Sequence, residues 1–261
     1  MRIVQLSDPH VSASEPRNAA FLERAIARVP SVGADLVLLT GDLVDRGTAE
    51  EYGQLVDLLS ACAVPVFVLP GNHDDRRQLV RTFAQPYLPP EGFVQYTLED
   101  GPVRIVALDT VIPRQSGGEL CPERLGWLDA RLAEAPDKPT LVAMHHPPFL
   151  SGVAKMDEMG LADPSGLEAV IRRHPQVERI VCGHLHRTIV RRFAGTVACT
   201  APSTAHQIGL DLAPSRKLTA TWDPPGMLIH VWLGDSLVTH VEPIPVAESL
   251  TLFDGQDWVV D

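Results

Sequence analysis

No apolar run in the 261-residue sequence approaches the ~20 residues that a membrane-spanning helix needs, so no bilayer insertion is expected. The first residues, MRIVQLSDPH, lack the basic start, apolar stretch and small-residue cleavage site of a secretory signal, and no export is expected from them. Lys and Arg total 22 against 33 Asp and Glu, a formal charge of −11, with no basic block. Binding a nucleic acid polymer by phosphate neutralisation is thereby disfavoured. The acidic residues are dispersed rather than gathered in a tail, as on an ordinary solvated surface. Only four cysteines occur (Cys62, Cys121, Cys182 and Cys199), none in a CxxC pair. Cys182 and Cys199 fall in the strand-like runs IVCGH and VACTA and read as buried thiols of a protein in a reducing cytoplasm. No GxSxG motif, internal repeat or low-complexity tract is present, so a serine nucleophile elbow is not signalled.

What is present is an alternation of short β-branched runs with amphipathic segments, the pattern of a layered α/β domain. Strands are predicted at RIVQL (2–6), DLVLL (35–39), VPVFVL (64–69), VRIVAL (103–108), TLVAM (140–144) and ERIVC (178–182). Helices are predicted at 18–29, where Phe21, Leu22, Ala25, Ile26 and Val29 make one stripe, and at 48–61, where Thr48 and Glu51 have capping-box spacing. Two more open on a proline, at 122–135 and 164–174. Residues 197–226, rich in Pro, Gly, Ser and Thr, read as loop or cap. The runs MLIHVWL (227–233) and SLVTHVE (236–242) are then expected to close a second sheet, with a short polar tail after them. The division is thus a core over 1–196, with a cap loop and C-terminal strands over 197–261 completing the sandwich.

Chemistry gathers where the apolar runs stop. RIVQL is followed by Ser7-Asp8-Pro9-His10, DLVLL by Thr40-Gly41-Asp42, and VPVFVL by Pro70-Gly71-Asn72-His73-Asp74-Asp75. TLVAM leads into His145-His146 and ERIVC into Gly183-His184-Leu185-His186, whereas VRIVAL ends more weakly in Asp109-Thr110. Ligands of open α/β sheets bind beyond the carboxyl ends of the strands. Asp, Asn and His on that rim suit Zn, Mn, Fe or Co, and the lack of Cys argues against a structural zinc site. Gly41, Gly71 and Gly183 fit tight turns that let backbone approach a ligand. Each residue alone has a plainer reading: Asp8 or Asp42 as a turn former or N-cap, Asn72 as a turn, a lone His as a hydrogen-bonded surface residue. Five such termini together would need five independent coincidences.

In order and spacing, DPH, GDLVDRG, GNHDD, MHHPP and GHLH resemble the five motifs of the calcineurin-like metallophosphoesterase superfamily. The resemblance runs from residue 1 to about His206. With TAHQ (204–207) it looks most like the bacterial glycerophosphodiesterases and class III cyclic-nucleotide phosphodiesterases. It implies a four-layer α/β/β/α sandwich and two divalent transition-metal ions. Asp8, His10 and His186 would hold one ion, Asn72, His145 and His184 the other, and Asp42 would bridge both. His73 would face the substrate phosphate, together with Asn72 and His206, and Asp74 would orient His73 or be a solvated turn residue. His146 would make a contact behind the ligands. His174, His230 and His240 read as structural.

The chemistry so implied is hydrolysis of a small phosphodiester by in-line attack of a water activated between the ions, with His73 contacting a phosphate oxygen or protonating the leaving oxygen. The substrate is left open between cyclic AMP, a 2′,3′-cyclic nucleotide and a glycerophosphodiester. Its shape would be read by residues 111–121, 149–164 and 197–226. A phosphomonoesterase, phosphoprotein phosphatase or nuclease on the same metal core is the competing enzyme reading, disfavoured by the acidic charge and the absence of basic docking insertions. A non-catalytic scaffold is the third, and it would be expected to have lost ligand positions that are all filled here. The resemblance also implies a homodimer or higher homo-oligomer formed through the C-terminal region.

Overall fold

A computed structural model of the chain describes residues 1–213, 217–245, 251–252 and 255–256. Three predicted runs form parallel strands: β1 (Arg2–Leu6), β2 (Leu36–Thr40) and β3 (Val66–Leu69). Helices α1 (Pro16–Arg28) and α2 (Ala49–Leu59) connect them. The apolar stripe of α1 buries Leu22, Ala25 and Ile26, while Phe21 stays half-buried. The capping box of α2 forms as its spacing requires: Thr48 Oγ1 accepts from the Glu51 N–H at 3.3 Å, and the Glu51 carboxylate accepts from the Thr48 N–H at 3.2 Å. Helix α3 (Arg76–Phe83) was not expected; Asp75 caps it by accepting from the Gln78 N–H at 2.9 Å.

The second sheet contains β4 (Tyr96–Leu98), β5 (Arg104–Leu108), β6 (Thr140–Met144), β7 (Val177–Cys182), β8 (Ile189–Phe193) and β9 (Thr196–Thr200). Its order is β4-β5-β6-β7-β9-β8, parallel from β5 to β9, with an antiparallel strand at each edge. Helices α4 (Pro122–Ala133), α5 (Ala154–Asp157) and α6 (Ser165–Arg173) belong to this half. A small hairpin, β10 (Gln207–Ile208) with β11 (Ala220–Thr221), stands apart from both sheets. The final strands are β12 (Gly226–Trp232) and β13 (Leu237–Pro243).

Alternation along the strands sets the layers. Ile105, Ala107, Leu141, Ala143 and Val181 pack in one core with β1, β2, α1 and α2, so they face the first sheet. Their neighbours Val106, Leu108, Val142, Met144 and Ile180 pack in a second core with α4 and α6. Helix, sheet, sheet and helix therefore stack in four layers, as expected.

Three expectations need correcting. The strands β12 and β13 do not close a second sheet; β12 pairs antiparallel with β1 and extends the first sheet, whose order is β13-β12-β1-β2-β3. Residues 197–200 are not loop but part of β9, because their short apolar run pairs with β7. The edge strands β4 and β8 were missed, and in β8 the exposed Arg191 and Arg192 hide the apolar alternation. The polar tail lies mostly outside the described residues.

A buried polar chain ties the sheets together. The Gln5 amide donates to Thr40 Oγ1 and to the Cys182 carbonyl, each at 2.9 Å, linking β1 to β2 and to β7 across the sandwich. Its oxygen accepts from His230 Nε2 at 3.1 Å, and the Thr239 hydroxyl donates to His230 Nδ1 at 2.8 Å. Arg179 donates in turn to Thr239 Oγ1. This pattern is satisfied only by neutral His230, and burial, reinforced by Arg179, pushes its pKa down to about 3. The unfolded chain takes up this proton near pH 6.5 and the folded chain does not until about pH 3. His230 therefore contributes stability that is complete above pH 6.5 and lost as pH falls towards 3. Denaturant unfolding at fixed excess Mn²⁺ should show His230→Gln losing stability more slowly than the parent between pH 6.5 and 5, by a slope difference that grows to about 1.4 kcal/mol per pH unit near pH 5. Parallel curves would show that this ring does not resist protonation.

Candidate metal centre

Every predicted ligand position lies just past the carboxyl end of a strand, and both sheets contribute. Asp8 and His10 follow β1, Asp42 follows β2, Asn72 follows β3, His145 follows β6, and His184 and His186 follow β7. Reaching the space between the sheets forces the backbone into the left-handed region at Asp8 (φ 51°), His10 (φ 43°), Asp42 (φ 47°), His184 (φ 69°) and His186 (φ 49°). Such conformations are unfavourable by about 1–3 kcal/mol each for non-glycine residues and gather where function requires them. Two glycines admit the close approach. A Cβ on Gly71 would lie 2.3 Å from Asp42 N and Oδ1, and one on Gly183 would lie 2.2 Å from Ser7 Oγ.

Two groups of side chains result. Asp8, His10, Asp42 and His186 bring one ligand atom each within 4.8 Å of one another. His10 Nε2 faces His186 Nε2 at 3.2 Å and Asp42 Oδ2 at 3.7 Å, and His186 Nε2 lies 3.5 Å from Asp8 Oδ1. In the second group, Asn72 Oδ1 lies 3.1 Å from His145 Nε2 and 3.0 Å from His184 Nδ1. His145 Nε2 is also 3.5 Å from Asp42 Oδ2, so this one oxygen belongs to both groups.

The proton accounting shows what such a set can hold. His145 Nδ1 donates to the Thr40 carbonyl and His186 Nδ1 to the His206 carbonyl, each at 2.9 Å. Each Nε2 is therefore the ring nitrogen turned to the shared space, free as a lone pair once any proton on it is displaced. Buried acceptors aimed at each other are unfavourable unless a proton or a metal cation lies among them. Two nitrogens, His10 Nδ1 and His184 Nε2, are buried with no hydrogen-bond partner. The residues present thus fit divalent transition metals, which favour imidazole and carboxylate donors.

Electrostatics sharpen the picture. Burial alone would raise the Asp42 carboxyl, but the imidazoles of His145, His10 and His73 outweigh it and hold it well below the usual carboxylate range. Asp8 is pushed up, by burial first and by the Asp42 charge as well. For His145, burial opposes charging, yet Asp42 and Asp8 prevail and raise it to about 9. Burial and His145 drive His184 down to about 3.

His146 is no free ligand: the Thr110 hydroxyl donates to its Nδ1 at 2.8 Å and its Nε2 donates to the Ser116 carbonyl at 3.2 Å. It packs behind His145 and His184, with ring centroids 4.8 and 4.6 Å away. Asp109 is also structural, since its buried carboxylate accepts two bonds from Arg76, at 2.6 and 2.8 Å. His174 bonds the Asp129 carboxylate at 2.7 Å, and His240 is exposed.

His73 stands at the rim, its ring centroid 4.7 Å from that of His10, and its N–H donates to Asp42 Oδ1 at 2.9 Å. Asp74 does not orient it, nor is it a solvated turn residue. Its buried carboxylate accepts from the Leu43 and Gly71 N–H groups at 3.1 and 2.8 Å and from the Tyr52 hydroxyl at 2.8 Å, bracing the two ligand loops. The partner of His73 is Asp45, missed in the sequence: His73 Nδ1 donates to the Asp45 carbonyl at 2.8 Å. The Asp45 carboxylate lies 3.7 Å from both His73 Nδ1 and His10 Nδ1. Its position in GDLVDRG, three residues past Asp42, is the signal that could have found it. His206 closes the other side, its ring centroid 4.6 Å from His186.

Comparison with known proteins identifies the family. The family model described as "Calcineurin-like phosphoesterase" matches residues 1–188. A curated relative from Arcobacter nitrofigilis, named "Probable glycerophosphodiester phosphodiesterase", is 34% identical over 255 residues, covering 94% of this chain and 93% of its own. A 3′,5′-cyclic-nucleotide phosphodiesterase of Nostoc is 30% identical over 256 residues, covering 93% and 92% respectively. Among solved structures, a dimetal phosphatase from Danio rerio superposes with a TM-score of 0.72 at 16% identity, covering 94% of this chain and 96% of that one, a likeness of fold.

The shared oxygen generates a prediction. Asp42→Ala should abolish the rise in melting temperature that Mn²⁺ gives the parent, whereas Asn72→Ala should bind more weakly and recover the rise at excess metal. Binding must displace the protons that His145 and His10 favour, so apparent affinity should increase with pH up to about 9, with proton release seen by calorimetry in buffers of different ionisation enthalpy. An Asp42→Ala protein that binds Mn²⁺ like the parent would contradict the bridging position.

Proposed function

The chain belongs to the calcineurin-like phosphoesterase family, and on that premise we propose that it is a metal-dependent hydrolase of small phosphodiesters. One observation carries the reading: seven oxygen and nitrogen ligand positions converge on a common space, and a further imidazole, His73, stands beside them. Asp8, His10, Asp42 and His186 would hold one divalent ion, and Asp42, Asn72, His145 and His184 a second, drawn from Fe, Mn, Zn or Co. Such ions supply Lewis acidity, lowering the pKa of water and neutralising phosphate charge.

The rest is done by the protein's own groups. Asp42 balances positive charge with its carboxylate held ionised. Asp8 accepts from the His184 N–H at 3.0 and 3.2 Å, locking the β1 and β7 loops together. Hydrolysis of a diester places a water oxygen on phosphorus and expels an alkoxide that needs a proton. His73 donates from Nδ1 to the Asp45 carbonyl, which leaves Nε2 for the phosphate, or, when the ring is the imidazolium, as the N–H that gives its proton to the leaving oxygen and returns to neutral imidazole. His206 and Asn72 flank the same space and are assigned to substrate contact. Membership in a homo-oligomer is supported by the exposed Leu233, Val238 and Val241 on and beside the edge strand β13. A cytoplasmic setting is supported by the free thiols Cys182 and Cys199, both buried.

Protonation by His73 separates substrates by their leaving groups. An alkyl leaving group such as glycerol needs the proton, and general-acid assistance is typically worth about 10²–10⁴-fold. A nitrophenolate leaves unaided. His73→Ala, with metal content verified, should therefore lose about 10²-fold or more on an alkyl diester and far less on an aryl diester. Equal losses on both would reject leaving-group protonation and make His73 an electrostatic contact.

A further inference from the structure

Beyond the ligand loops, the Pro- and Gly-rich segment 197–226 brings an aromatic side chain to the rim. Trp222 directly follows β11, and its ring centroid lies 6.3 Å from that of His206, edge on, while His206 lies 5.6 Å from His10. Arg17, at the start of α1, places its guanidinium 4.0 Å from the Trp222 centroid, and Phe21 borders the same ring at 6.3 Å. Glu15 fixes Arg17 with two bonds, to Nε at 3.0 Å and Nη2 at 3.3 Å. Trp222 nevertheless remains 48% exposed, an unusual position for a large indole that α1 could have covered.

We propose that Trp222, backed by Arg17, is the stacking platform for the nucleobase of a cyclic nucleotide substrate. This rests on the phosphodiesterase reading and names the class of diester the site prefers. A ribosyl group separates phosphate from base by about one sugar ring, and a single imidazole, His206, separates Trp222 from His10 and His186. Stacking suits any base because every base has a π-face. A glycerol or ethanolamine group has no flat face to offer. A quaternary ammonium group would seek the same indole, but that demand is already met from within the chain by Arg17, over whose position a second cation would be repelled.

The test compares the metal-loaded parent with Trp222→Ala, Trp222→Phe and Arg17→Ala on 3′,5′-cyclic AMP, glycerophosphoethanolamine and glycerophosphocholine. Trp222→Ala should raise KM for cyclic AMP by about 5- to 100-fold with kcat little changed, and leave glycerophosphoethanolamine kinetics alone. Trp222→Phe should recover much of the loss, and Arg17→Ala should show a smaller one. Equal effects on all substrates, a loss confined to glycerophosphocholine, or a parent that cleaves glycerol diesters but not cyclic AMP would each overturn the platform. If the parent cleaves no diester, the phosphodiesterase reading falls, and calorimetric affinity for 5′-AMP decides the platform alone. A drop in Trp222→Ala would then support it, and an unchanged affinity would overturn it.

Discussion

The structure depends on one oxygen. Asp42 Oδ2 lies 3.7 Å from His10 Nε2 and 3.5 Å from His145 Nε2, rings carried by opposite sheets of the sandwich. Holding a carboxylate there, nearly dry, requires facing positive charge, a left-handed backbone at φ 47°, and a neighbour at Gly71 with no side chain. Each requirement is local and unfavourable by itself. They persist because the two sheets are clamped by the Gln5 bonds to Thr40 and Cys182 and by the His145 bond to the Thr40 carbonyl. Stability of the fold thus maintains a strained constellation whose natural counterpart is a cation.

Around that centre, other carboxylates keep the imidazoles and loops in place. The Asp45 carboxylate lies 3.7 Å from both His10 Nδ1 and His73 Nδ1, so a ring aimed at the cation space and the ring at its rim face one charge. Asp74 serves the backbone instead: burial and the Asp42 charge raise it to about 6, and its bonds to Leu43, Gly71 and Tyr52 fasten the GDLVDRG turn to the GNHDD turn. Carboxylate–histidine contacts of this kind fix ring orientation and basicity at metal sites. The protein therefore separates positioning from coordination among acidic residues that are close in sequence.

Much of this was legible because each ligand directly follows its strand. An apolar run that stops on Asp42 or His145 is a short-range signal, and strand direction alone carries the side chain to the shared rim. What was not legible depends on distant pairing. Nothing in MLIHVWL says that it lies against RIVQL, since the register Ile3 to His230 is set by tertiary packing. The alternation of β8 is masked by Arg191 and Arg192 on an edge where solvent tolerates them. Asp45, for which no role was expected, holds the position beside His73 expected of Asp74, whose carboxylate is taken up by Leu43, Gly71 and Tyr52. Trp222 lay in a segment read as loop or cap and assigned to substrate shape, but its approach to Arg17 exists only once the chain has folded.

The central account is that the convergent Asp, Asn and His side chains hold the cations on which diester hydrolysis depends. Its most direct measurement is reconstitution: chelator-stripped protein titrated with Mn²⁺ or Co²⁺, bound metal counted by elemental analysis, and phosphodiester turnover followed at each step. Turnover should be absent at the start and should grow with bound metal, levelling at up to about two equivalents per chain. Full turnover in protein that remains metal-free throughout would contradict the account.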